Sequence, residues 1–72
     1  MNLTARLKGE TIEIFNVMNG SIVRAHQLPP GKYSNLIVSG DNVTVTITPT
    51  YGRDRIRTIN LKTGAIASEI QM

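Results

Sequence analysis

A chain of 72 residues has room for one domain. At that length folding buries only about 60% of the unfolded surface, so such a chain calls for a staple or for assembly. The absence of cysteine excludes disulfides and thiolate metal sites, and a single histidine, His26, cannot make a metal site without carboxylates. Eight Lys/Arg against five Asp/Glu give a net charge of +3, which permits nucleic acid or an acidic surface as partner but falls short of a dense basic face.

No apolar run approaches the roughly 20 residues of a membrane span. The first ten residues lack the apolar stretch of a signal peptide. The expectation is a soluble chain that does not export itself, cytoplasmic or carried in a virion. Lack of cysteine fits either setting.

Residues 3–8, LTARLK, alternate apolar and polar as a strand does, and Gly9-Glu10 reads as a tight turn. Residues 11–17 are rich in β-branched and aromatic side chains and form the next strand. Asn19-Gly20 then marks a hairpin, because both residues tolerate the positive φ of the turn, and residues 22–28 return. Pro29-Pro30-Gly31 breaks the sheet, and a link is expected to run to about Ser34. Residues 35–39, NLIVS, suit a short strand buried on both faces. A turn at Gly40-Asp41 leads to residues 42–48, where Val43, Val45 and Ile47 point in and Thr44, Thr46 and Thr48 point out. A loop, PTYGRD, precedes strands at 55–61 and 65–70, joined by Thr63-Gly64. The spacing predicts seven short strands and no helix.

The chain also repeats itself. Residues 11–28 align with 55–72, an offset of 44, and Ile12/Ile56, Asn16/Asn60, Gly20/Gly64, Ile22/Ile66 and Gln27/Gln71 are identical pairs. A period of this length with four strands lies in the range of propeller blades. From Pro30 the order is a proline-glycine link, the strand around Leu36 to Val38, the Gly40-Asp41 turn, the alternating strand from Val43 to Ile47, a loop with Gly52, the strand from Ile56 to Leu61, the Thr63-Gly64 turn and the strand from Ile66 to Ile70. This resembles a blade of the β-propeller repeat families of the WD40, YVTN and quinoprotein type. The Gly-His and Trp-Asp dipeptides of WD40 blades and the tryptophan motifs of quinoproteins are absent.

The resemblance implies an all-β fold of propeller-like antiparallel blades in a single domain, 1–72. Units of about 1–30 (a partial blade) and 31–72 (a full blade) would make up about one and three-quarter blades. Residues 35–39 would be an inner strand and 65–70 an outer one. Such a fragment cannot close a ring, so homo-oligomerisation is expected to complete it, with a trimer favoured.

Candidate site residues are few. Arg53, Arg55 and Arg57 form the densest basic stretch, with Arg55 and Arg57 on one strand face. They read as solvated strand charges or as a positive rim. Tyr33 and Tyr51 are expected in loops, as contact residues or folded over the core. His26 reads as a surface or interface histidine. Glu10, Glu13, Asp41, Asp54 and Glu69 are scattered, with Asp41 and Asp54 suited to turns.

No catalytic, cofactor or metal constellation emerges. The expectation is a non-enzymatic structural or interaction module, a cyclic homo-oligomer that binds a protein or glycan, with a phage or prophage particle component as one setting. The competing expectation is a small β-barrel that binds nucleic acid through the Arg53 to Arg57 stretch and the tyrosines.

Overall fold

The computed structural model describes residues 2–72 and is all-β, with two antiparallel sheets. The first holds β1 (Leu3–Lys8), β2 (Thr11–Asn16) and β3 (Ile22–Gln27) in that order. The second holds β4 (Gly31–Ser39), β5 (Asn42–Pro49), β6 (Arg55–Asn60) and β7 (Ile66–Gln71). Within each sheet every strand pairs with its chain neighbour, and the chain changes sheet between β3 and β4. The sheets do not close into a barrel.

Alternation places the core. Val43, Val45 and Ile47 of β5, with Ile59 and Leu61, pack against Ile12 and Ile14 of β2, and Leu28 completes the buried cluster. Leu3, Ala5, Tyr33, Leu36 and Val38 lie around it. Thr44, Thr46 and Thr48 stand on the opposite face of β5, and Thr44 shares a hydrogen bond with Thr58 at 3.3 Å. Burial of whole aliphatic side chains, each worth about 1.5–3 kcal/mol, is the main force joining the layers.

β4 differs from the sequence expectation. It begins at Gly31 and runs nine residues, so the link after β3 is short. A bulge between Ser34 and Ile37 hides the first half from an alternation test, and Asn35 takes a positive φ of 52° there. The strand is not buried on both faces, for Ile37 is 60% exposed. It is an edge strand, covered on its inner side only.

The sequence repeat reappears as hydrogen bonding at the same spacing. Gly20 N–H donates to the Asn16 carbonyl and Gly64 N–H to the Asn60 carbonyl. Asn16 and Asn60 side chains accept from Met18 and Lys62 N–H, each at 2.8 Å. Leu28 N–H reaches Glu10 as Met72 N–H reaches Asp54. The pairing register shifts at Ile14/Phe15 and again at Thr58/Ile59. One difference breaks the match. Lys8 pairs with Thr11 across a two-residue turn, whereas Ile47 pairs with Arg55 across a longer loop.

The two sheets stack facing the same way. Ile12 and Ile14 are covered, yet their equivalents Ile56 and Thr58 lie on the outer face of the second sheet. The inner face of the second sheet, with Val45 and Arg57, has its equivalent in the outer face of the first. There Arg6 pairs with Glu13 at 2.9 Å and its guanidinium lies 5.0 Å from the Phe15 ring centroid.

Candidate functional site

Arg57 is the most engaged polar side chain. Alternation aims it inward beside Val45 and next to Glu69 on β7. Its Nε and Nη2 donate to Glu69 Oε1 at 3.3 and 2.9 Å. Its Nη1 donates to His26 Nε2 at 3.1 Å, which joins β6 to β3 and so ties the two sheets. Arg55 reaches the same carboxylate at 3.5 Å.

These contacts set the charges. Hydrogen bonds from Arg57, and its charge with that of Arg55, hold the Glu69 carboxyl below its ordinary value against an opposing desolvation effect. Burial first and the Arg57 charge second lower the His26 imidazole, while Glu69 opposes. The Arg57 guanidinium can only donate, so this contact takes the unprotonated Nε2 of His26 as its acceptor. The cluster is a latch between sheets, with an acid, a cation and a neutral base already satisfied by one another.

A second feature lies where the β3–β4 link meets the β5–β6 loop. Pro29, Pro30, Pro49, Thr50, Tyr51 and Arg55 line a cleft of about 240 Å³. Three prolines give it apolar walls. Tyr51 stands at its rim and is 90% exposed. Arg55 supplies the charge, and its buried Nε has no hydrogen-bond partner. The volume falls below the roughly 300–1,000 Å³ of typical ligand pockets, so the cleft suits one side chain or one sugar ring.

The expected contact residues therefore separate. Tyr51 and Arg55 come together at the cleft. Arg53 is exposed on the same loop and has no ion pair among the described residues. Arg57 is buried and committed to Glu69 and His26. Tyr33 is on β4, not in a loop. Its ring packs against the core and its hydroxyl donates to the Pro29 carbonyl. Burial, with the Glu10 charge, raises that hydroxyl's pKa. His26 is half-buried at the contact between the two sheets of the same chain.

Sequence reasoning missed the pairing of Glu69 with Arg57, although the hairpin carried it. A turn at Thr63-Gly64 sets residues 57 and 69 opposite each other. It also missed the cleft, because Pro49 and Pro29-Pro30 read as punctuation when they are walls. Among the described residues no group of three His, Cys, Asp or Glu side chains could hold a metal ion. Protein-family models, curated proteins and solved structures offer no match to this chain.

Proposed function

We propose that this chain is a non-enzymatic interaction module, assembled from copies of itself, that presents its proline-walled cleft to a protein or glycan partner. The observation that carries this reading is Tyr51. Tyr51 is 90% exposed at the rim of a cleft walled by three prolines, so an accessible aromatic side chain and apolar walls together offer one contact surface. A partner's apolar side chain or sugar face would stack on Tyr51 and the prolines. Arg55, with Arg53 close in sequence, would meet an acidic group.

Nucleic-acid binding is the weaker reading on this geometry. It drew on three arginines, and Arg57 is buried and bound to Glu69, which leaves only Arg53 and Arg55 near the surface. The remaining basic side chains are spread over both sheets, which lowers the local phosphate attraction.

Self-assembly is supported by exposed apolar side chains on one flank. Ile22 and Val23 of β3, with Ile66 and Ile70 of β7 and Met72 beyond it, are all 43–58% exposed. Same-sense stacking of the sheets suits a head-to-tail propeller ring. Such a ring would, however, place Lys8 and the Arg6–Glu13 pair against an outer face of Thr44, Thr46, Ile56 and Ile70, which offers no acid to Lys8. This favours assembly through a strand edge instead.

The test pairs mass by light scattering with binding to arrayed glycans and peptide pools. An oligomer that binds one class, with the signal lost at least tenfold in Tyr51→Ala while the melting temperature is kept, supports the module. A monomer that binds neither class, or a Tyr51→Ala variant that binds as well as the parent, overturns it.

A further inference from the structure

The four sheet edges are not alike. β1 carries Arg6 and Lys8, charges that discourage pairing with another chain. β3 is bulged next to Arg24, whose Nη1 donates to the Thr63 carbonyl at 2.9 Å. β4 carries Lys32 and is bent by the bulge at Asn35. β7 has no Lys, Arg or Pro, and its register shift lies at its start, leaving residues 68–71 regular. Its one charge, Glu69, is turned inward onto Arg57 and Arg55.

The hydrogen bonds of β7 show which groups are free. Met72 N–H donates to the Asp54 carbonyl at 2.8 Å. Bonded pairs alternate along an antiparallel ladder, so Ile70 and Ser68 also turn their main-chain groups to β6, opposite Ile56 and Thr58. Glu69 and Gln71 turn theirs outward. That is a short, uncharged row of unpaired donors and acceptors, flanked by the exposed Ile70 and Met72.

We propose that β7 is a strand-addition site whose occupant is the β7 strand of a second copy, antiparallel about a two-fold axis at Ile70. This deepens the assembly reading above and rests on it. With the axis there, Glu69 lies opposite Gln71 of the second copy, and each pair exchanges two main-chain hydrogen bonds. Ile70 meets Ile70 of the second copy in a close, non-hydrogen-bonded pair. The Glu69 carboxylate keeps its own arginines, so the contact buries no unpaired acid. Two four-stranded sheets become one continuous sheet, and both β7 edges are covered. The contact is isologous, so it stops at two chains.

Light scattering across a wide concentration range tests this, with circular dichroism to check folding. The parent is expected at twice the 7.9 kDa chain mass. Gln71→Pro removes an outward N–H and spares the bonds to β6, so it is expected to fall to the monomer mass while folded. Ile37→Lys, on the outer face of β4, is expected to stay dimeric. In a chain without cysteine, Ile70→Cys should cross-link to itself on oxidation, since such pairs hold Cα atoms about 4.5 Å apart. A parent that is monomeric at every concentration overturns the assembly reading and this contact together. An oligomeric parent with a folded Gln71→Pro of unchanged mass overturns the contact alone. If Gln71→Pro does not fold, the cross-link decides, and failure of Ile70→Cys to couple refutes the edge.

Discussion

Replacing Glu69 with alanine strands a buried cation. The Arg57 side chain is 10% exposed, and Glu69 accepts two of its three hydrogen bonds. A hydrogen bond to a charged group contributes about 1.5–3 kcal/mol. Breaking a buried pair from one side costs about 3–5 kcal/mol, because the partner stays desolvated. The Glu69 side chain is itself 30% exposed, so water partly replaces it and the cost lies at the lower limit, about 3 kcal/mol. For a domain this small each kcal/mol moves the melting temperature by about 4–8 °C, so Glu69→Ala should melt about 12–24 °C lower. Thermal unfolding followed by far-ultraviolet circular dichroism reads this directly. The double variant Arg57→Met with Glu69→Ala removes the stranded charge and should regain more than half of the loss. A coupling energy of about 2 kcal/mol is expected from the complete cycle. A single-variant loss below about 1 kcal/mol, or a double variant as unstable as the sum of the singles, would show that Arg57 does not depend on Glu69.

Acid should unfold the chain in two stages. His26 is held below its ordinary 6.5 in the fold, so the unfolded chain takes up that proton more readily. Its contribution is full above about pH 6.5 and is lost as pH falls through the folded value. Glu69 is held below 4.5 and adds a second loss beneath that. Urea midpoints from pH 8 to 3 check this, and His26→Gln should abolish the upper stage only. Glycine positions should divide as well. A Cβ at Gly31 would lie 2.2 Å from the Thr48 carbonyl oxygen, backbone that cannot step aside, so Gly31→Ala should cost more than about 2 kcal/mol. Gly40 has nothing within 4 Å of that point, so Gly40→Ala should cost only the strain of its positive φ, about 1 kcal/mol. Equal losses in denaturant titrations would refute this contrast.

Most of the strand order was legible because apolar alternation and two hairpin turns lie close together in sequence. Val43, Val45 and Ile47 face the core as their spacing suggested. β4 was only half legible, since a bulge adds a residue and shifts the period. That shift carried Tyr33 from an expected loop into a strand with its ring on the core. The arginines show a different limit. Spacing put Arg55 and Arg57 on one face, but whether that face meets water depends on the first sheet lying over it. His26, more than twenty residues away in sequence, makes that contact, and no local pattern announces it. The cleft was illegible for a similar reason, being assembled from the ends of two connections.

Because each strand lies beside its sequence neighbour, the route by which the chain reaches this structure is constrained. Every ladder closes a short loop, and short loops close quickly and at little entropic cost. Each meander can therefore form by itself on the microsecond scale of hairpins. On this topology the slow event is expected to be the docking of the β1–β3 meander onto the β4–β7 meander, where Ile12 and Ile14 meet Val43, Val45 and Ile59. If the barrier belongs to that encounter, core changes in β2 and β5 should slow refolding more than changes in the turns, and stopped-flow refolding of Ile14→Val beside Gly40→Ala checks this. A chain read as two similar halves should fold as two halves that must then find each other.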